Sequence, residues 1–255
     1  MKPTVAFRWA ALLSAALLSG APAARAEPPP ADPCAVPESV LTVDAHLPRA
    51  RDRLRTAGAL PILVVNTAKP AAERGEASYP ARLEKDLTAR LPGRRVTVTV
   101  RSVPGATAHE MLPVLESAVT ELRPALVVWQ VGTMDAMRNV GPDGFGEALV
   151  TGIAQTHARG ADILVVDMQY SPQTSQLMTF RPYVEYVEWV TQNNDVFHFP
   201  RYEMMRHWIE EGRVTIGSES KDDKLKAFTF VHGCVARLLA QTIAAMLDRA
   251  EEGAP

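Results

Sequence analysis

Short apolar runs alternate with helical segments along most of the chain, and this alternation is the strongest constraint on its fold. Five runs are short and apolar or rich in β-branched residues, which predicts strands at residues 60–65, 96–100, 125–131, 163–166 and 196–199. Helical spacing predicts helices at residues 79–91, 107–122, 145–158, 182–191, 202–211 and 225–250. Strands joined by helical crossovers run parallel, so the pattern predicts one α/β domain with a five-stranded parallel sheet.

The first 26 residues have the pattern of a secretory signal peptide. Lys2 and Arg8 give a positive start, and the apolar run over residues 9–18 is too short to span a bilayer. Ala24-Arg25-Ala26 is a small-x-small cleavage motif. We therefore expect cleavage after Ala26, a mature protein that is periplasmic or secreted, and no membrane span in the mature chain.

Composition and charge exclude several classes of function. The chain carries 27 basic and 29 acidic residues, so its formal net charge is -2, and it becomes -5 without the three basic residues of the signal peptide. A nucleic-acid-binding protein would instead carry a basic surface. The six histidines show no spacing typical of a metal site, so we expect neither a metal nor another cofactor.

Both cysteines, Cys34 and Cys234, lie after the signal peptide. An oxidising compartment favours a disulfide between them, and two unpaired buried thiols are the alternative. Residues 27–59 comprise a Pro-rich lead-in and a helix predicted over residues 38–56, which Gly58 ends. Residues 60–250 comprise the α/β domain.

Ligands of parallel α/β sheets bind outside the carboxyl ends of the strands. Polar and glycine-containing segments follow the predicted strands at that edge, and residues 222–226 are expected to join them ahead of the last helix. The segments are Asn66-Thr67-Ala68, Ser102-Val103-Pro104-Gly105, Gly132-Thr133-Met134-Asp135 and Asp167-Met168-Gln169-Tyr170.

Several motifs resemble those of the SGNH hydrolases (GDSL-type esterases and lipases), especially a branch of secreted bacterial members. The resemblance runs from about residue 60 to residue 246 and implies a flavodoxin-like, three-layer α/β/α sandwich. In that family a Ser nucleophile, a His base and an Asp three residues before it hydrolyse esters, while backbone N–H groups, a Gly and an Asn hold the oxyanion. The motifs are Tyr79-Pro80-Ala81-Arg82-Leu83-Glu84, Trp129-Gln130-Val131-Gly132-Thr133, Gln169-Tyr170, Pro200-Arg201-Tyr202 and Cys234-Val235-Ala236-Arg237-Leu238-Leu239-Ala240.

The catalytic triad of that family is incomplete when it is carried over onto this sequence. The nucleophile motif falls on residues 66–68, so Ala68 stands at the position of the serine. The Asp-x-x-His motif falls on residues 223–226, where Asp223 is kept and Lys226 replaces the histidine. A methyl group cannot attack a carbonyl, and an ammonium is a poor base, so the ordinary mechanism is not expected.

The oxyanion positions also depart from the family's pattern. Met134 replaces the Asn, and the Gly falls on Val103 or on the nearby Gly105. We expect a Lys226–Asp223 ion pair in the vacated site. The predicted pocket is lined by Asn66, Thr67, Ala68, Gly105, Gly132, Met134, Asp135, Tyr170, Asp223 and Lys226.

Other groups offer a rewired site. Thr67, or a serine of residues 217–220, could act as nucleophile with Lys226 as base, although a Thr at a strand end usually bonds the backbone and residues 217–220 have the composition of a polar loop. Asp195 and His198 match Asp-x-x-His literally, but strand alternation already explains His198.

Three functions follow from this pattern. The favoured one is a secreted pseudoenzyme that uses the former cleft to bind an acyl- or carbohydrate-type ligand, or its surface to bind a periplasmic protein. The second is an active carboxylic ester hydrolase with the rewired site. The third is a structural periplasmic protein without a small ligand.

Overall fold

The structure is a computed structural model that describes residue 1, residues 32–68 and residues 75–249. The predicted signal peptide and its cleavage site lie outside the described residues. The chain divides into two compact units, Met1–Asp32 and Pro33–Pro255. The helices and strands described below all belong to the second unit.

Five parallel strands form one sheet, which confirms the predicted fold class. They are ordered β2-β1-β3-β4-β5 across the sheet. The inner strand β1 has only Pro61 incompletely buried, because helices cover both faces of a parallel sheet. The strands are β1 (Ala59–Asn66), β2 (Arg95–Ser102), β3 (Leu126–Gln130), β4 (Asp162–Val166) and β5 (Phe197–Phe199).

Helices connect the strands and close the fold, and those longer than six residues follow the predicted positions closely, apart from α1. The short helices α4 and α6 were not predicted, because five or six residues are too few to establish a helical period. The helices are α1 (Pro48–Ala57), α2 (Tyr79–Arg90), α3 (Ala108–Leu122), α4 (Thr133–Met137), α5 (Pro142–Ala158), α6 (Pro172–Leu177), α7 (Arg181–Asn193), α8 (Arg201–Glu210) and α9 (Lys221–Asp248).

Two apolar cores lie on opposite faces of the sheet. Side chains of a strand alternate between the faces, so Leu60, Ile62 and Val64 of β1 pack into the core that contains residues of α2, α8 and α9. Leu63 and Val65 pack into the second core, with residues of α3, α5 and α7. The result is a three-layer α/β/α sandwich.

The strand register brings the carboxyl ends of the strands to one edge of the sheet. Asn66 of β1 pairs with Ser102 of β2, and Val166 of β4 pairs with both Gln130 and Phe199. The segments predicted to carry the site therefore emerge side by side.

The first helix begins ten residues later than predicted. The sequence indicates a helix over residues 38–56, whereas α1 begins at Pro48. Proline lacks the N–H that a continuing helix would need and disfavours a helical residue before it, so it is tolerated here only in the first turn. The predicted end is confirmed, because Gly58 has φ +61° and its N–H donates to the carbonyl of Leu54.

The predicted disulfide is confirmed. Cys34 and Cys234 are bonded, with their Cα atoms 5.1 Å apart. The bond joins the segment before α1 to α9 across a sequence separation of 200 residues. The buried Trp208 of α8 supports this junction, since its indole N–H donates to the carbonyl of Cys34 at 3.2 Å.

Helix α9 is the longest helix among the described residues, with 28 residues. By length and composition alone it could cross a membrane, which the sequence analysis did not expect. However, 61% of its most apolar 18-residue window is buried inside the fold, where residues such as Val235, Leu239 and Ile243 belong to the first core.

Candidate functional site

The turn after β1 contains Ala68, which is predicted to stand at the position of the family's nucleophile. Asn66 is 2% exposed, and its Oδ1 accepts hydrogen bonds from the N–H of Ala68 at 3.1 Å and from the hydroxyl of Ser102 at 3.0 Å. The first of these is the Asx turn that an Asn side chain makes with its own backbone two residues on. Ala68 is exposed and Thr67 is half-buried. Ala68 therefore presents a methyl group to solvent at the end of the strand.

The loop after β2 carries the two candidates for the oxyanion glycine. The N–H of Val103 donates to the carbonyl of Asn66 at 2.8 Å, so this amide is already occupied. Val103 in turn accepts from Ala106 at 3.1 Å, and Gly105 adopts φ +74° within the resulting turn. This conformation favours glycine.

The segment after β3 contains a glycine with a positive φ, Gly132, and a buried carboxylate, Asp135, that bonds to the start of α3. Gly132 has φ +91°, and a Cβ atom there would lie 2.3 Å from Cε of Met168. Met134, in the following helix α4, is half-buried and has no polar hydrogen to offer. Asp135 is 2% exposed, and its Oδ1 accepts from the N–H of Ala108 at 2.9 Å. This hydrogen bond fixes the start of α3. Burial raises the pKa of the Asp135 carboxyl.

The predicted Lys226–Asp223 ion pair is present in the first turns of α9, but it lies on the surface. The ammonium is 3.5 Å from Oδ1 of Asp223, and the side chain of Lys226 is 79% exposed. Asp223 also accepts from the hydroxyl of Ser218 at 3.0 Å, and Ser220 caps the helix by accepting from the N–H of Asp223. Both loop serines therefore serve the start of α9.

A buried polar cluster that sequence reasoning did not single out lies at the same edge of the sheet. Asp167, directly after β4, has no exposed surface, and its Oδ2 is 3.0 Å from Nε2 of His198. Its Oδ1 accepts from the N–H of Tyr202 at 2.8 Å. His198 thus pairs with Asp167 and is more than the ordinary strand residue predicted from alternation. The exposed Asp195 is not its partner.

Arg201, at the start of α8, belongs to this cluster and is only 4% exposed. Its Nη2 donates to Oε1 of the exposed Gln169 at 2.9 Å. Its Nε and Nη1 are buried and have no hydrogen-bond partner among the described residues, and the hydroxyl of Tyr79, which lies beside the amide of Asn66, has no well-aligned partner there. Burial lowers the pKa of Arg201.

Tyr79 lies between this cluster and the turn after β1. Burial raises the pKa of its hydroxyl to about 12, although the charge of Arg201 and the amide of Asn66 both favour the ionised form. Its backbone N–H donates to Nδ1 of His232 on α9, at 3.0 Å. Tyr170, another predicted pocket residue, packs edge-on against Tyr202 with ring centroids 5.1 Å apart. The sequence signal that could have located the cluster is a set of polar residues directly following β4 and β5.

A groove of about 1100 Å³ lies along the edge strand β5. Its lining includes residues of α1, α7, β5, α8 and the segment that precedes α1, among them His46, Arg49, Glu188 and His198. None of the residues predicted to line the pocket borders this groove. Among the described residues, no group of three or more His, Cys, Asp or Glu side chains is arranged to hold a metal ion.

Comparisons with known proteins place this arrangement in a family. The model of the non-GDSL lipase-like family matches residues 33–249, and a search of curated proteins found no match. Among solved structures, the chain is similar to TesA, with 22% identity and a TM-score of 0.55 over 74% of this chain and 98% of TesA.

Two further solved structures share the fold. A mutant of Axe2, an acetyl xylan esterase from Geobacillus stearothermophilus, is 15% identical with a TM-score of 0.56, over 72% of this chain and 94% of that one. A protein of the G-D-S-L lipolytic family from Desulfitobacterium hafniense is 12% identical with a TM-score of 0.51, over 73% and 98%. The fold is therefore that of the SGNH hydrolases, and the chain belongs to the non-GDSL lipase-like family.

Proposed function

We propose that this chain is a secreted, catalytically degenerate relative of the SGNH esterases, which binds its ligand without cleaving it. The observation that carries the proposal is the exposed methyl group of Ala68 at the end of β1, where the family resemblance calls for a serine. Without a hydroxyl at this position, a covalent acyl intermediate has no oxygen on which to form.

The position of the family's base supports the same conclusion. Lys226 extends into solvent and is paired at the surface with Asp223, so it lacks the buried setting in which a lysine serves as a catalytic base. Ser218 and Ser220, the loop serines of the rewired alternative, are engaged in capping α9. The amide of Val103, one of the two oxyanion candidates, is bonded to Asn66.

The Cys34–Cys234 disulfide supports a location outside the cytosol, since such bonds persist in oxidising compartments. For the ligand, we propose a molecule of the acyl or carbohydrate type bound at the carboxyl edge of the sheet. One of the similar structures is an acetyl xylan esterase, which is consistent with this class. A periplasmic protein partner is the competing occupant.

The proposal is tested by measuring hydrolysis of p-nitrophenyl acetate with the full oxidised protein and with Lys226→Ala. Lys224→Ala is the matched control, because its ammonium is also exposed at the start of α9. We expect the three proteins to hydrolyse the ester at the same background rate. A fluorophosphonate probe, which reacts with activated serine or threonine hydroxyls, should label none of them.

A gain-of-function variant gives the test a positive arm. The triple variant A68S/M134N/K226H, which retains Asp223, supplies the triad and the oxyanion Asn of the family pattern, and we expect it to exceed the wild-type rate and to react with the probe. Hydrolysis by the wild type that Lys226→Ala or Thr67→Val abolishes, while Lys224→Ala leaves it intact, would overturn the proposal and establish the rewired hydrolase.

A further inference from the structure

Arg201 is a buried cation whose charge is not neutralised by direct contact. Asp167 stabilises the guanidinium electrostatically. However, the two carboxylate oxygens of Asp167 bond to His198 and to the N–H of Tyr202. The guanidinium contacts Gln169 instead, which is a neutral side chain. Burying a charge without a paired opposite charge is costly, so a site of this kind calls for an anion.

The unpartnered atoms around Arg201 are hydrogen-bond donors. Its Nε and Nη1 have no partner among the described residues, and the hydroxyl of Tyr79, which lies beside the amide of Asn66, has no well-aligned acceptor there for its hydrogen. Guanidinium nitrogens can only donate, and the raised pKa of Tyr79 keeps its hydroxyl protonated and able to donate at neutral pH. Buried donors in native proteins are nearly always satisfied, and a missing partner has to be an acceptor.

We propose that Arg201 and Tyr79 form a subsite for a small oxyanion, the carboxylate or phosphate group of a ligand. This inference rests on the proposed function in one respect, namely that the ligand lies at the carboxyl edge of the sheet. A water molecule could accept from the same donors, but it would leave the guanidinium of Arg201 without an anion in direct contact. An oxyanion satisfies both the donors and the charge.

The subsite has a route to solvent and a fixed relation to the former catalytic position. Gln169, whose amide oxygen accepts from Nη2 of Arg201, is exposed, so this contact of the guanidinium reaches the protein surface. On its other side, Tyr79 lies beside Asn66, whose side chain holds the turn that presents Ala68. The proposed subsite is therefore linked to the turn of Ala68 through Tyr79 and Asn66.

The test is thermal unfolding of the full oxidised protein at constant ionic strength, set with sodium chloride. Sodium acetate and inorganic phosphate are titrated as probes, and acetamide serves as the uncharged analogue of acetate. We expect a saturable rise in Tm with at least one oxyanion and none with acetamide. A response to acetate assigns a carboxylic acid, and a response to phosphate alone assigns a phosphate group.

Two variants link the response to the subsite. Arg201→Met, which replaces a buried charge by an apolar side chain of similar length, should lose the response. Tyr79→Phe removes only a hydroxyl and should weaken binding about tenfold, as expected for a hydrogen bond to a charged group. Arg206→Met is the matched control on the same helix, because Arg206 is exposed and paired with Glu203, and its response should equal that of the wild type.

The inference is overturned if neither oxyanion raises the Tm of the wild type, or if the response is the same in Tyr79→Phe as in the wild type. Because Tyr79→Phe is nearly isosteric, this comparison holds even if Arg201→Met does not fold. The outcome is independent of the hydrolysis assay: a missing oxyanion response leaves the degenerate function standing, and hydrolysis by the wild type leaves the oxyanion measurement unaffected.

Discussion

Nε2 of His198 lies 3.0 Å from Oδ2 of Asp167, whose carboxylate is completely buried. The two residues come from neighbouring strand ends, since Asp167 follows β4 and His198 is the middle residue of β5. The imidazole is the side-chain partner of the Asp167 carboxylate. Within the described part of the chain, the carboxylate accepts one other hydrogen bond, from the N–H of Tyr202. The pair therefore ties the edge strand to its neighbour.

We predict that His198→Ala lowers the free energy of unfolding by about 1–3 kcal/mol, because it leaves a buried carboxylate oxygen without its hydrogen bond. Urea unfolding at pH 7 measures the change. His109→Ala is the control, since His109 is exposed on α3 and should change stability by less than about 0.5 kcal/mol. Equal effects of the two substitutions would contradict a stabilising role for the His198–Asp167 pair.

We predict that His157 makes the protein less stable at mildly acidic pH. Burial, and then the charge of Arg49, lower the pKa of His157 below its ordinary value of 6.5, against the opposing charge of Asp162. Between the lowered folded pKa and 6.5, the unfolded chain binds more protons than the folded one, so stability falls as pH falls through this window.

The measurement is the free energy of unfolding between pH 7.5 and 5 for the wild type and for His157→Gln. As the pH decreases, the free energy of unfolding of His157→Gln should rise relative to that of the wild type. His109→Gln serves as the exposed control and should run parallel to the wild type. A wild-type curve parallel to that of His157→Gln would show that this residue does not titrate differently in the two states.

We predict that breaking the Cys34–Cys234 bond destabilises the fold strongly. Closing a loop of this length stabilises a protein by up to about 4–5 kcal/mol in the chain-entropy model. Thermal unfolding with and without reductant should show a large drop in Tm for the wild type. The double variant C34A/C234A should start at the lower Tm and be indifferent to reductant, and sensitivity of that variant would point to a different effect of the reductant.

We predict opposite effects for two glycines of α5. A Cβ atom at Gly152 would lie 2.4 Å from the buried ring of Trp129, whereas one at Gly144 would meet nothing within 4 Å. Gly152→Ala should therefore destabilise by about 1–3 kcal/mol through overpacking. Gly144→Ala should stabilise by about 0.5–1 kcal/mol, because alanine loses less backbone freedom than glycine when a helix forms. Urea unfolding of both variants checks the sign of each change.

The sheet could be predicted from the sequence because each central strand is a continuous apolar run bounded by polar or glycine residues. The start of α1 could not be predicted in this way. The segment before Pro48 has apolar residues at helical spacing, but a helix cannot continue through the proline. The family resemblance assigns catalytic positions to Ala68, Met134 and Lys226 because each falls in a short motif, and these assignments stay predictions.

The polar cluster could not be predicted in the same way. Asp167 and His198 are 31 residues apart, and Arg201 and Tyr79 are farther apart still. Their proximity depends on the strand order, which places β5 next to β4, and on the direction in which each side chain leaves its strand or helix. A local period of hydrophobicity specifies neither the strand order nor these side-chain directions.

The covalent link between Cys34 and Cys234 closes a ring of backbone that contains residues 34–234, which is most of the folded unit. A protease that cuts a single peptide bond inside this ring leaves two fragments that stay attached to each other. Such a nicked molecule would keep its full mass on a denaturing gel and separate into pieces only after reduction, so intact migration without reductant is no proof of an uncut chain.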